Sequence, residues 1–392
     1  MHRLGIVAVD QNNSWPGGRY YLHHIIRCVA SLEKQEQIEI RDVYWRSMPA
    51  GNDPFGEVRD LIGAKIVVSP PAGLLPRLAR KIRRTMGGVS GAADLFHSQD
   101  VSCFFPIPPC ANTGLPLLYW CSDLQPLKRP DLISDDQLRA FREEVERRVV
   151  EAAGVVLSSQ DACRDFLALY PDMNGKVHVV RFCSVPNSEW WACDPIAVAE
   201  RYALPERFMI VCNQFTRHKN HMVLLEALRI LKGRGNVGVH LVFTGGLHDY
   251  KGENYIDVLR NAIRDYGLQA QVSILGFISR SEQIALMRRS LAVVQPSMFE
   301  GWSTIVEDAK TLGKPLVLSN LSVHREQMGG VPSKFIEVED AESWACELEL
   351  VHSGASVGPS LADESIGSIA VLTRMAECGR AFVAAVRSVL PA

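Results

Sequence analysis

The chain reads as an α/β protein of two units in series, each with a mostly parallel sheet. Two observations carry this. Short apolar runs alternate with segments of helical periodicity, the pattern of strand-helix-strand units. The alternation also stops and restarts near Leu204, and at roughly 150 residues per domain a chain of 392 holds two.

Along the chain, Leu4–Val9 is an apolar strand, followed by a loop over Asp10–Gly18 and a helix over Arg19–Ser31. Ile66–Ser69, Leu117–Trp120 and Val155–Leu157 read as further strands. Leu138, Phe141, Val145 and Val149 recur at helical spacing, which predicts a helix over 135–152. Asn187–Tyr202 has mixed periodicity and reads as a connection. In the second unit, Phe208–Cys212, Val239–Thr244, Val272–Leu275, Leu291–Gln295 and Pro315–Ser319 are expected strands. Helices are expected over Lys219–Leu231, Tyr255–Tyr266, from Ser281, and over Ser303–Leu312. The units are expected over 1–190 and 191–370, with residues 371–392 a final helix that packs back on the first. Such an arrangement sets a ligand cleft between the units, at the carboxyl ends of the strands.

Composition narrows the function classes. Hydrophobic residues make up 47% and charged residues 22%, with a net charge of −2. A dedicated nucleic-acid binder would be strongly basic, so no nucleic-acid partner is expected. The ten cysteines include no Cys-x-x-Cys pair, which argues against a zinc or redox motif and for a reducing compartment. The first ten residues turn polar too soon for a signal peptide, and no run has the length of a membrane span. A cytoplasmic protein is expected.

The most informative segment is Pro296–Lys314, PSMFEGWSTIVEDAKTLGK. Glu300 stands on a loop where a carboxylate can accept hydrogen bonds from sugar hydroxyls. Gly301 permits close backbone approach, and Trp302 follows it. The amides of Ser303, Thr304 and Ile305 open a helix and offer unsatisfied donors to an anion. Glu307 and Asp308 follow in reach of a ribose diol. The plainer alternative is that the acids are capping charges at a helix start.

This segment resembles the signature of glycosyltransferase family 4, retaining enzymes of the glycosyltransferase-B fold, in which two Rossmann-like domains face across a cleft. Glu300 matches the first acid of the signature. The second falls on Asp308 by register and on Glu307 by residue type, and the two stay open for the ribose. Phe208–Leu228 resembles the strand, turn and helix that hold the donor diphosphate. There Lys219 matches the diphosphate lysine, Gln214 stands where relatives carry arginine, and Arg217 can supply the missing charge. Val242–Gly246 resembles the glycine-rich strand end near the nucleotide, with Gly245 in the donor site. Leu275–Glu282 resembles the loop against the base, with Phe277 and Ile278 meeting it.

In the first half, Ser14–Tyr21 resembles the family's glycine loop, which assigns Gly17 and Gly18 to the donor. Asp94–Asp100 aligns His97 with a histidine that contacts the donor sugar. Trp120–Ser134 keeps Asp123 on the acceptor side but has Ser122 where the family has histidine. The resemblance implies a hexose transfer from a nucleotide-diphosphate sugar, of UDP or GDP type, to a saccharide or lipid-linked saccharide in surface polysaccharide or glycolipid synthesis. His97, Lys219 and Glu300 would be the catalytic set. No cofactor is expected, and no metal, since no Asp-x-Asp motif is found. A nucleotide-sugar epimerase or phosphorylase on the same fold, or a non-catalytic two-lobed sugar-binding protein, are the competing readings. Finally, Gly73–Gly88 reads as a helix with Leu75, Leu78, Ile82 and Met86 on one face and Arg77, Arg80, Lys81 and Arg84 on the other. Such a helix can lie on an anionic membrane surface, so peripheral contact with the inner face is expected.

Overall fold

The computed structural model describes residues 2–7, 16–45, 53–63, 66–68, 101–107, 114–247 and 254–390. Two parallel sheets organise them. In the first half the strands are β1 (Arg3–Val7), β2 (Glu39–Trp45), β3 (Ile66–Val68), β4 (Cys103–Phe105), β5 (Leu118–Trp120), β6 (Gly154–Leu157) and β7 (Val177–Val179). They run in the order β3-β2-β1-β4 and β5-β6-β7, and a parallel bridge from Phe104 to Leu117 joins the two groups. In the second half β8 (Met209–Cys212), β9 (Leu241–Thr244), β10 (Val272–Gly276), β11 (Val293–Gln295), β12 (Leu316–Ser319) and β13 (Lys334–Ile336) run in the order β10-β9-β8-β11-β12-β13. Each order reverses direction once, beside β1 and beside β8. At such a switch point the loops leaving the strands' carboxyl ends diverge and open a crevice.

Helices cover both faces. α1 (Pro16–Ala30), α2 (Gln125–Lys128), α3 (Asp135–Glu151), α4 (Gln160–Leu169) and α5 (Pro195–Arg201) belong to the first half and its connection. The second half carries α6 (His221–Gly233), α7 (Tyr255–Asp265), α8 (Arg280–Arg289), α9 (Thr304–Thr311), α10 (Ser322–Met328), α11 (Ala341–Gly354) and α12 (Leu361–Ser388). Local chemistry fixes several starts. Ser134 with Gln137, and Ser279 with Glu282, form capping boxes. Asp194 caps α5 through the amides of Ile196 and Ala197.

The strands of the second unit are short apolar runs because helices bury them on both sides. All four residues of β8 and of β9 are buried. The expected connection at 187–202 is not featureless. It holds a 3-10 turn over Ser188–Trp191 and the whole of α5, and Trp190 lies in the second unit's core. α12 starts at Leu361, ten residues before the expected final helix. It packs along both units: Glu364 pairs with Arg288 at 2.9 Å, while Val371, Cys378, Phe382 and Val386 enter the core around α1. Among the described residues no helix is long and apolar enough to cross a membrane. The expected basic amphipathic helix at Gly73–Gly88 lies outside the described residues.

Candidate functional site

The site is built at the switch point between β8 and β11. The chain leaving β8 makes a 3-10 turn over Arg217–Lys219 and then passes through Asn220, at φ 56°. Asparagine tolerates this left-handed conformation. Its amide is anchored on the carbonyls of Pro296 (3.1 Å) and Val338 (2.7 Å). α6 therefore begins at His221, and Lys219 stands just before the helix instead of opening it. The chain leaving β11 carries Glu300 back toward the same point. Lys219 Nζ donates to Glu300 Oε1 at 2.6 Å, and the two side chains are 17% and 8% exposed. The lysine that matches the diphosphate lysine is thus already engaged, by the acid expected to meet the sugar.

A buried amide pair holds this carboxylate. Gln295, the last residue of β11, exchanges two hydrogen bonds with Asn213 (3.0 and 3.1 Å) and donates to Glu300 Oε1 at 2.9 Å. Burial by itself would raise the Glu300 pKa. The Lys219 charge and the hydrogen bonds from Lys219 and Ser297 outweigh burial and hold it at about 2. His324 stands nearby, but its own burial pushes its pKa down, so at neutral pH it is uncharged and Lys219 dominates.

Glycine is required twice. A Cβ on Gly245 would lie 1.9 Å from the Asn213 carbonyl oxygen, so only glycine lets the end of β9 pass the Asn213–Gln214 backbone. A Cβ on Gly301 would lie 2.3 Å from the Ser122 carbonyl oxygen and 3.0 Å from Asp123 Cβ. The close approach expected of Gly301 is therefore made by the other unit's backbone. Asp123, expected on the acceptor side, meets the Glu300 loop there, with Oδ1 accepting from the Gln125 amide at 3.1 Å.

The start of α9 differs from expectation in one donor. Ser303 is the N-cap, its Oγ accepting from the Val306 amide. Its own amide donates to Gln327 Oε1 at 3.2 Å and is not free for an anion. Thr304 and Ile305 supply the first two helical amides, which have no intrahelical acceptor. The Trp302 indole donates to the Phe182 carbonyl at 2.9 Å, across the junction of the units.

Both candidate ribose acids are fully buried. Glu307 Oε1 accepts from Lys310 (2.9 Å) and Gln327 (3.0 Å). Asp308 Oδ1 pairs with Arg280 at 2.6 Å, and its Oδ2 has no partner. Arg280 lies over the rings of Tyr20 (5.1 Å) and Trp190 (5.4 Å), so the pair sits at the junction. Around the base loop, Phe277 is 71% exposed and Ile278 is buried, which leaves the backbone of Ile278 for recognition. Gln214 is half-buried and Arg217 exposed beside Lys219.

In the first unit, Gly17 and Gly18 lie in the first turn of α1, which Pro16 opens, and not in a loop. Proline is pre-organised for that position, so the helix starts three residues earlier than expected. His97 lies outside the described residues. Sequence reasoning missed Gln295, Asn213, Arg280 and Gln327. Gln295 had a visible signal, a lone amide ending the apolar run Leu291–Val294. The others gain meaning only through distant contacts.

Comparison with known proteins bears on the fold and on the second unit. Residues 198–354 match the family model for glycosyl transferases group 1. No curated protein matches the chain. Among solved structures, HepE from Anabaena in complex with UDP superposes with a TM-score of 0.61 at 16% identity, covering 96% of this chain and 97% of that one. A glycosyltransferase from Rickettsia africae gives 0.64 at 14% identity, covering 99% and 97%. Sucrose-phosphate synthase from Thermosynechococcus elongatus gives 0.61 at 16%, covering 98% and 94%. The chain has the glycosyltransferase-B fold, and its second unit is similar to the group 1 glycosyltransferases.

Proposed function

We propose that this chain is a retaining, metal-independent glycosyltransferase of the family 4 type. It moves a hexose from a nucleoside-diphosphate sugar to a saccharide or lipid-linked saccharide, in surface polysaccharide or glycolipid synthesis. The observation that carries the reading is the Lys219–Glu300 pair, 2.6 Å apart beside the opening amides of α9 at the switch point. A departing diphosphate needs positive charge as the glycosidic bond breaks. Lys219, Arg217 and the amides of Thr304 and Ile305 supply it without a metal. Glu300, released from Lys219 by the incoming phosphate, accepts from sugar hydroxyls. Each acid keeps one buried oxygen without a hydrogen bond, Asp308 Oδ2 and Glu307 Oε2; Asp308 is the better ribose candidate by register, since Glu307 Oε2 already faces the Arg374 guanidinium at 3.8 Å.

The Anabaena neighbour was solved with UDP, which favours a uridine nucleotide. The protein acts in the cytoplasm, with the basic segment at Gly73–Gly88 touching the inner membrane face. A thermal-shift screen against UDP, GDP, ADP and TDP and their glucose conjugates tests the reading. A ligand that binds the native state raises its melting temperature by mass action. One nucleotide should stand out, and no shift from any would reject the proposal. Product analysis separates transfer from epimerase or phosphorylase chemistry, which would give a sugar isomer or a sugar phosphate.

A further inference from the structure

Two adjacent side chains on α10 face opposite tasks. Glu326 reaches across to the first unit. Its Oε1 accepts from the Gln160 amide at 2.8 Å, and its Oε2 from the Asp161 amide at 3.0 Å. These are the first two helical residues of α4, whose amides have no intrahelical acceptor and favour an anion. Arg181 Nε adds a third bond to Oε1 at 2.7 Å. The Glu326 side chain is 15% exposed, while its partner Arg181 is 52% exposed at the rim of the contact. Gln327 turns inward instead. Its amide grips the Ser303 backbone on both sides, accepting from the nitrogen (3.2 Å) and donating to the oxygen (2.7 Å), and it also donates to Glu307 at 3.0 Å. Ser303 lies three residues from Glu300. On the same helix His324 stands beside Glu300 and is tied to the Ser319 carbonyl at 2.9 Å.

We infer that Glu326 and Gln327 are positioning residues for sugar transfer. Glu326 seats the second unit on α4 of the first, and Gln327 passes that placement to the Glu300–Ser303 loop. This rests on the transferase reading above. The loop that holds the sugar acid is covered by the other unit at Gly301, so its pose depends on how the units meet. Two residues in sequence fix both relations at once. A purely stabilising strut would not need the second half of this device, a bidentate grip on the backbone of a donor-loop residue. Glu326 itself bonds only to the start of α4 and to Arg181, away from the donor loop. Loss of Glu326 should therefore leave nucleotide affinity intact while misplacing the sugar-side groups, and misplacements on the order of 1 Å cost up to about a hundredfold in rate.

The test uses the full chain and the member of the UDP, GDP, ADP, TDP panel that stabilises the wild type. Dissociation constants for the bare diphosphate are measured by calorimetry for wild type, Glu326→Ala and Gln327→Ala. Turnover is followed as diphosphate release from the matching glucose conjugate, with water as acceptor, and melting temperatures check folding. Glu326→Ala should keep the diphosphate constant within about twofold and lose about tenfold or more in kcat; Gln327→Ala, which frees the Ser303 amide at the start of α9, should lose kcat as well. Equal kcat in wild type and Glu326→Ala overturns the inference and leaves the transferase reading standing. Parallel losses of affinity and kcat, together with a lowered melting temperature, overturn it in favour of a strut. A wild type that binds no member of the panel overturns the transferase reading and this inference with it.

Discussion

Replacing Lys219 by alanine separates what the ion pair does for folding from what it does for catalysis. Glu300 is buried, and its carboxyl is held at about 2 against an ordinary value of 4.5. At about 1.4 kcal/mol per pH unit, this corresponds to a contribution on the order of 3 kcal/mol. The folded-state value is the lower one, so the contribution is present in full above pH 4.5 and is lost as the pH falls toward 2. Lys219→Ala leaves a buried carboxylate without its counter-charge, a change that costs roughly 3–5 kcal/mol. The lower end applies here, because Gln295 still donates to Glu300. Urea unfolding at pH 7 should show a loss of about 3 kcal/mol. At pH 3 the gap should narrow, since the variant's Glu300 is then protonated. Turnover should fall by about 10²–10³-fold, the usual cost of one charge-stabilising donor. The double variant Lys219→Ala with Glu300→Gln removes both charges and should regain most of the stability without regaining turnover. A stability gap that is the same at both pH values, or a kcat within a few-fold of wild type, would refute the reasoning.

Four further outcomes are expected. Glu300→Ala should weaken binding of the nucleotide sugar far more than binding of the bare diphosphate, read by calorimetry; equal losses would contradict a sugar contact. Gly301→Ala must move the Ser122 carbonyl, 2.3 Å from the new methyl, and should cost about a hundredfold in kcat while the second unit still binds nucleotide; unchanged turnover would show that the close approach is irrelevant. Activity should survive EDTA, because Lys219 and helix amides do the charge work, and loss rescued by magnesium or manganese would overturn this. Wild type should co-sediment with phosphatidylglycerol vesicles at low salt, through cations worth about 1 kcal/mol each; a variant with Arg77, Arg80, Lys81 and Arg84 changed to glutamine should not, and identical behaviour would remove the membrane contact.

The second unit was legible because its strands are apolar runs closed by helices whose start signals are local. In the first unit β1, β3, β5 and β6 were legible as apolar runs, while β2, β4 and β7 were not. β2 reads Glu-Ile-Arg-Asp-Val-Tyr-Trp, and the charge in its middle is explained only by the bond from Arg59 to buried Asp42 at 2.5 Å. β4 is three residues long and stops before a proline. α12 exposes Ile366, Ile369 and Leu372, which blurs any amphipathic pattern. In the site, residue types were readable but partnerships were not. Lys219 and Glu300 are eighty-one positions apart, and nothing in either segment announces that they touch. The Ser303 amide is spent on Gln327 for the same reason: the fold, not the motif, decides which donors stay open.

The path of α12 bears on how the protein is made. Val371, Cys378, Phe382 and Val386 fill the core that α1 and β1 share, and a Cβ on Gly379 would meet the Cys28 carbonyl at 2.5 Å. As the chain leaves the ribosome, the half synthesised first must wait for α12, which follows the whole second unit, before its apolar interior is sealed. Until then that surface is open to chaperones and to aggregation, while the second unit can already close around its own sheet. The contact that completes the first unit also locks the two together.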